Sequence, residues 1–227
     1  MIQLLRFPLL AAGLLGQLIN ALLTDQVVFN SDSTNHLKVR QKILRLLDAE
    51  IIPTVIDDFV PALTLIVSWP NKTAKLGNTI KPDQLQDAPT VKLHGTHRIE
   101  WSGVQYTIAL TDPDAPSRDN PKWSEMCHWI ATNIPVTSLA VNTEGSVSMN
   151  MKEIMPYKPL GPPPKTGKHR YVFLAFARTT KEPKLSKPKD RQHWGTGKKK
   201  HGVRDWAAEN GLTPVAANFI YSQNEEQ

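Results

Sequence analysis

Apolar and polar positions along this chain keep two different rhythms. Over residues 35–50, NHLKVRQKILRLLDAE, the residues Leu37, Ile43, Leu44 and Leu47 return near one face at helical spacing, and the polar stretch NSDST ahead of them suits an N-cap. One helix is predicted to open the domain. Beyond it the period shortens. ALTLIVSW, TVKLH, GVQYTIALT, CHWIATNI, RYVFLAFAR and TPVAANFIYS are brief, rich in β-branched and aromatic residues, and bounded by Pro, Gly, Asn or Asp. Within residues 104–111, Val104, Tyr106, Ile108 and Leu110 alternate with Gln105 and Thr107, which predicts a strand with one buried and one partly polar face. A second helix is predicted at GVRDWAAENG, with Gly211 as its stop signal. Strands that follow one another without intervening helices predict a mainly β fold, a largely antiparallel β-sandwich with a few peripheral helices, and argue against a doubly wound α/β sheet.

At 227 residues the chain suits one ordinary core, and no internal repeat or long low-complexity tract divides it. The first 23 residues read differently from the rest. One arginine precedes an apolar run interrupted only by Gln17 and Asn20, with small residues near Ala21, the layout of a secretory leader; an uncleaved apolar helix is the alternative. The expected organisation is a leader over 1–23 and one domain over 24–227. A leader implies the secretory pathway or the extracellular space; a cytoplasmic location is the alternative. Asn71-Lys72-Thr73 is a glycosylation sequon that fits the secretory route. Cys127 is the single cysteine, so no internal disulfide forms and the fold rests on burial. The net charge of +6 concentrates late, around Lys198, Lys199 and Lys200. That run is either a solvated loop or a basic face for peripheral contact with anionic lipid or protein; no stacking pattern or nucleic-acid motif accompanies it, so nucleic acid is not expected as a partner.

The unusual chemistry lies in two proline-stiffened segments. In TDPDAPSRDNPKWSEMCHW, Pro113 and Pro116 fix their own backbone and steer Asp112 and Ala115 away from helical conformation, so the chain leaves its strand along a stiff path. Residues two apart in an extended segment point the same way, which would crowd the carboxylates of Asp112 and Asp114. Either a cation compensates, Arg118 being nearest in sequence, or the two separate, one turning inward. An Asp-Pro turn capped by its own carboxylates is the plain structural alternative. The second segment, YKPLGPPPKTGKHRYVFLAF, joins another proline-rich loop, residues 159–167, to a strong strand carrying His169 near its start. With Gly161 and Gly167 bracketing three prolines, the spacing fails as a phosphate-binding P-loop, because a hydroxyl residue is missing at its end and prolines remove the needed amides. His128 and His169 each begin a predicted strand, so one end of a sheet can carry both imidazoles and a carboxylate. Such a group suits an anion pocket, an acid/base centre or a metal. No HExxH or GxSxG occurs, so neither a zincin-type metal site nor a hydrolase elbow is indicated, and no cofactor is called for.

DPDAPSR followed by KWSEMCHW, and then GPPPKTGKHRYVF, resembles the two signature regions of the phosphatidylethanolamine-binding protein family, which includes Raf kinase inhibitor proteins and plant flowering regulators. The tail KDRQHWGTGKKKHGVRDWAAENGLTPVAANFIYSQ is similar to the fungal branch typified by the carboxypeptidase Y inhibitor, and the likeness spans roughly residues 36–222. The resemblance implies a large antiparallel sheet packed on a smaller one, with a small anion pocket at one end. Carried over position by position, it places Asp112, Pro116, His128, Gly161, His169 and Tyr171 at that pocket and gives Asp114 and Arg118 a bracing role. It also implies phosphate-type ligands, including the phosphoethanolamine head of a phospholipid, held by imidazole and glycine N–H groups with a carboxylate for the ammonium. The chain ends soon after Tyr221, without the C-terminal helix that partly covers the pocket in animal members, so the resemblance does not carry over that cover.

Three functions follow as expectations. The first is a non-enzymatic binding protein for an anionic small molecule or phospholipid head group, able to regulate a partner. The second is inhibition of a serine carboxypeptidase or another protease. The third is an accessory role beside a fungal biosynthetic enzyme that couples anhydride polyketide monomers, where two imidazoles and a carboxylate orient an acidic substrate or move a proton.

Overall fold

The computed structural model describes residues 32–95, 104–138, 151–179, 184–199 and 201–227, so the leader expected over 1–23 lies outside the described residues. The chain divides into two compact units, Met1–Arg40 and Gln41–Gln227, and both sheets belong to the second. Helix α1 runs Asp32–Asp48. Strands β1 (Leu63–Trp69), β2 (Lys72–Thr73), β3 (Asn78–Thr79), β4 (Thr90–Gly95), β5 (Val104–Asp112), β6 (Met126–Thr132), β7 (Val136–Ser138), β8 (Lys152–Met155) and β9 (Lys168–Thr179) follow. Helix α2 (Val203–Glu209) and strand β10 (Thr213–Gln223) complete the order.

The strands form a 4-stranded sheet, β2-β1-β4-β7, and a 6-stranded sheet, β3-β10-β9-β5-β6-β8. Pairing is antiparallel except at β4 with β7 and β10 with β3. The expected mainly β sandwich of a larger and a smaller sheet is therefore the observed architecture. Strand β9 shows why its sequence is apolar throughout. Tyr171, Phe173 and Ala175 face the smaller sheet, packing with Leu65, Val67 and Leu93. Val172, Leu174 and Phe176 face the opposite way, onto Leu46, Trp194 and Trp206. A central strand covered on both faces needs hydrophobic residues at both parities. Each fully buried aromatic or aliphatic side chain contributes roughly 1.5–3 kcal/mol through area removed from water.

The helix face inferred from Leu37, Ile43, Leu44 and Leu47 is rotated. Leu37 is 64% and Leu44 47% exposed, whereas Leu46 is fully buried. The chain just beyond the helix, Ala49, Ile51, Ile52 and Val55, inserts into the same core and turns the helix toward Leu46. The second helix forms where expected, and Gly211 closes it at a φ of +62°. No helix among the described residues is long and apolar enough to cross a membrane.

Candidate functional site

Topology brings the two proline loops together. Strand β5 runs antiparallel to both β6 and β9, with Asp112 opposite Met126 and Thr111 opposite Val172. The end of β5 therefore meets the starts of β6 and β9, and the loops that follow β5 and precede β9 leave the same end of the larger sheet. His128 reaches this group through a bulge. Leu110 pairs with Trp129 but Thr111 pairs with Cys127, leaving His128 as the extra residue of β6. Cys127 packs on the helix side and Trp129 on the smaller-sheet side. The bulge turns His128 to the Trp129 side, where its ring meets Tyr171 edge-on at 5.4 Å and 86°. Tyr171 also stacks on His169, at 6.3 Å and 27°, so one phenol ring separates the two imidazoles.

The paired aspartates are resolved by alternation in β9. His169 and Arg170 are consecutive and point to opposite faces. His169 Nδ1 lies 2.8 Å from Asp112 Oδ2, while Arg170 holds Asp114 through Nη2 to Oδ1 at 2.6 Å and Nε to Oδ2 at 2.9 Å. Asp112 Oδ1 also accepts the Asp114 amide at 2.8 Å, so the self-capped Asp turn exists alongside the histidine pair. Asp114 is tied to β9 through Arg170, whose amide also donates to Asp114 Oδ2 at 2.8 Å. The other expected brace differs: Arg118 bonds neither aspartate and pairs at the surface with Glu50 at 2.9 Å, because the guanidinium that β9 supplies from inside the core reaches Asp114 first. Arg170 Nη1 additionally donates to the carbonyls of Ala49 and Glu50 at 2.8 and 3.0 Å. Four of the five N–H donors of this buried guanidinium are thus engaged.

Hydrogen-bond partners and burial pull the two imidazoles in opposite directions. The Thr166 hydroxyl donates to the Pro163 carbonyl at 2.7 Å, so toward His169 Nε2, at 3.1 Å, its oxygen accepts. His169 then donates from both nitrogens, as an imidazolium does. Burial opposes that charge, but the hydrogen bond and charge of Asp112, the charge of Asp114 and the Pro116 carbonyl outweigh it and hold the His169 pKa above its ordinary value. His128 is the reverse case. Its Nδ1 donates to the Lys158 carbonyl at 3.0 Å, and burial, aided by the positive charges of Lys158 and Arg191 against the pull of Asp112, lowers its pKa. Burial favours the neutral ring, and the Lys158 carbonyl favours its proton on Nδ1. Both His169 nitrogens and His128 Nδ1 thus face partners of the protein's own.

Pro116 is half-buried at the rim. Gly161 is exposed, and a Cβ placed there would meet nothing within 4 Å. Tyr171 is 1% exposed, and burial with the nearby Asp112 charge pushes its hydroxyl pKa up, so it remains a neutral donor. The second loop is tied down by residues the sequence reading did not use: Asn224 Nδ2 donates to the Pro162 carbonyl at 3.1 Å, and the Lys165 amide to the Glu226 carbonyl at 2.9 Å. Cys127 faces the core, its thiol pushed up to about 12 by burial. Asn71 sits exposed in the turn between β1 and β2.

On the helix side of the same loop, a cleft of about 210 Å³ is lined by Glu50, Asp114, Arg118, Glu125 and Arg170 among others. Glu125 is 2% exposed, and burial raises its pKa to about 8 even though Thr111 Oγ1 donates to it at 2.9 Å.

The chain is thus a two-sheet β protein with a buried aspartate-histidine pair between two proline loops. The family model for phosphatidylethanolamine-binding protein matches residues 70–220, and the chain belongs to that family. The chain is 32% identical over 200 residues to the carboxypeptidase Y inhibitor of Saccharomyces cerevisiae, covering 77% of this chain and 91% of that protein. It is equally 32% identical, over 181 residues, to the Protein TERMINAL FLOWER 1 of Arabidopsis thaliana, covering 79% of this chain and 90% of that one. Among solved structures, the carboxypeptidase Y inhibitor complexed with its cognate proteinase superposes with a TM-score of 0.69 at 28% identity, over 82% of this chain and 97% of that one. The phosphatidylethanolamine-binding protein from Plasmodium vivax shares the fold, with a TM-score of 0.63 at 18% identity over 81% of this chain and 97% of its own.

Proposed function

We propose that this protein binds a phosphate-type anion or phospholipid head group at the end of the larger sheet and acts through binding, without chemistry of its own. The observation that carries the reading is the convergence of Asp112, His128, His169 and Tyr171 beside Gly161, whose missing side chain leaves open space. Four polar groups gathered from three strands, with burial of at least three of them near complete, are costly for stability alone and suit a ligand that completes their hydrogen bonds. Pro116 forms part of the rim. Calorimetric titration with phosphoethanolamine tests the proposal. Binding is expected in the native chain and a loss of at least about tenfold in a His128→Ala, His169→Ala double variant. Gly161→Leu, which fills the open side without touching the buried pairs, is expected to fold and to lose binding. No binding by the native chain, or undiminished binding by both variants, contradicts the reading.

A second reading concerns a protein partner, and the likeness to the yeast carboxypeptidase Y inhibitor favours it. On this reading the protein inhibits a serine carboxypeptidase. An assay of such an enzyme with micromolar protein tests it, and full retained activity contradicts it.

A further inference from the structure

We infer that the cleft on the helix side of the first proline loop is a second ligand site, built for the carboxylate of a small organic acid. It is separate from the site proposed above. Three near-buried side chains carry the inference: Ser124, Glu125 and Arg170 line the cleft and are 3%, 2% and 6% exposed. Glu125 engages only Oε2, which takes the Thr111 hydroxyl at 2.9 Å and the Val203 amide at 3.4 Å. Ser124 Oγ and Glu125 Oε1 have no hydrogen-bond partner among the described residues. Neither is one of the fully enclosed polar atoms left without a partner, so both open onto accessible space, and the cleft is the space both residues line. Arg170 supplies the third group. Its Nε and Nη2 hold Asp114 and its Nη1 serves the Ala49 and Glu50 carbonyls, which leaves one Nη2 hydrogen unengaged. Three polar groups held away from bulk water without partners are costly for stability alone, and a guest that completes them offsets that cost.

The chemistry of the three selects the guest. Burial raises the Glu125 pKa to about 8, so at neutral pH it presents a carboxyl O–H beside a hydroxyl and a guanidinium N–H. All three can donate. The other two carboxyl groups of the cleft, Glu50 and Asp114, are already paired with Arg118 and Arg170. A carboxylate offers two acceptor oxygens and brings no proton of its own, and its charge strengthens each bond it accepts. Arg118 adds positive charge at the rim, since its pair with Glu50 is exposed and contributes little to the fold. A guest with two negative charges would meet Glu50 and Asp114 in the same space, which favours a single charge. The volume of about 210 Å³ is below the roughly 300–1,000 Å³ of pockets that take drug-sized ligands, so the acid is short. The charged groups near Glu125 are Arg204 and Asp205 on α2 and, around the cleft, Glu50, Asp114, Arg118 and Arg170. Loss of its proton turns a donor into a second anion facing the guest, so affinity falls as pH rises past about 8.

The test is titration of the full chain with butyrate at pH 6 and pH 9, read from the backbone amide NMR signals of Ser124 and Glu125. Saturable shifts are expected at pH 6, with affinity about tenfold weaker at pH 9. Butyramide, a neutral acceptor of the same size, is expected to bind at least about tenfold more weakly than butyrate at pH 6. Ser124→Ala, which removes one donor without adding bulk, is expected to weaken butyrate at least about fivefold. Glu125→Gln, whose amide donates at both pH values, keeps the affinity and loses the pH dependence. None of the three donors belongs to the imidazole group, so the His128→Ala, His169→Ala variant keeps butyrate binding and the two sites fail separately. No saturable shift in the native chain, equal binding of butyramide, an affinity that Ser124→Ala leaves unchanged, or a pH dependence that survives in Glu125→Gln overturns the inference. Loss of butyrate binding in the double histidine variant overturns it as well, by moving the carboxylate to the other site.

Discussion

Asp112 and Asp114 stand two positions apart on a stiff loop, and each finds a different cation because consecutive residues of β9 face opposite ways. Breaking the inner pair is costly. Arg170→Met leaves Asp114 charged and buried and is expected to cost about 3–5 kcal/mol in urea denaturation, whereas Arg118→Ala, at an exposed pair, is expected to stay within about 0.5 kcal/mol. Comparable losses from the two would return Arg118 to the role its position in the sequence gave it. Asp112, His128 and His169 were legible as a group because each sits at a predicted strand end. Arg170 was not, since the reading of this segment followed its histidine, and the neighbour's partner depends on which face β9 turns inward. Glu125 left no signal either; its environment is set by Thr111, by the Val203 amide and by Trp194, whose indole donates to Thr111 at 3.0 Å. Its folded carboxyl keeps its proton up to about 8, whereas an unfolded one releases it near 4.5, so the unfolded state gains stability as pH rises through that window. Glu125→Gln, a permanent mimic of the neutral acid, is expected to gain at least about 1 kcal/mol relative to the native chain between pH 5 and pH 8.5, measured by chemical denaturation. An unchanged difference between the two pH values contradicts the buried neutral acid.

Elements meet at close quarters where β6 begins. The backbone at Gly202, just ahead of α2, rests on Glu125: a Cβ there would fall 2.5 Å from Glu125 Cδ. Gly202→Ala is therefore expected to cost about 1–3 kcal/mol, while Gly161→Ala, with open space around it, is expected to be neutral within about 0.5 kcal/mol; thermal denaturation distinguishes them. The six longer strands and both helices could be read from their periods. Strands β2 and β3, of 2 residues each, β7, of 3, and β8, of 4, could not, because so few residues carry no period. The His128 bulge was equally invisible, since alternation through Cys127, His128 and Trp129 gives no sign that two neighbours share a face.

Across the whole molecule, the larger sheet carries apolar side chains on both faces and gathers buried polar groups at one end. That end pairs Asp112 with His169, which favours a charged ring, beside His128, which burial favours neutral, and the proposed anion binding rests on this group. The measurement that tests it most directly is ¹⁵N imidazole NMR of the native chain at pH 6.5 during titration with inorganic phosphate. The account predicts His169 protonated at both nitrogens, His128 protonated at Nδ1 alone, and a shift of His128 Nε2 as phosphate is added. Two imidazoles in the same state, or a His128 Nε2 resonance indifferent to phosphate, would contradict it.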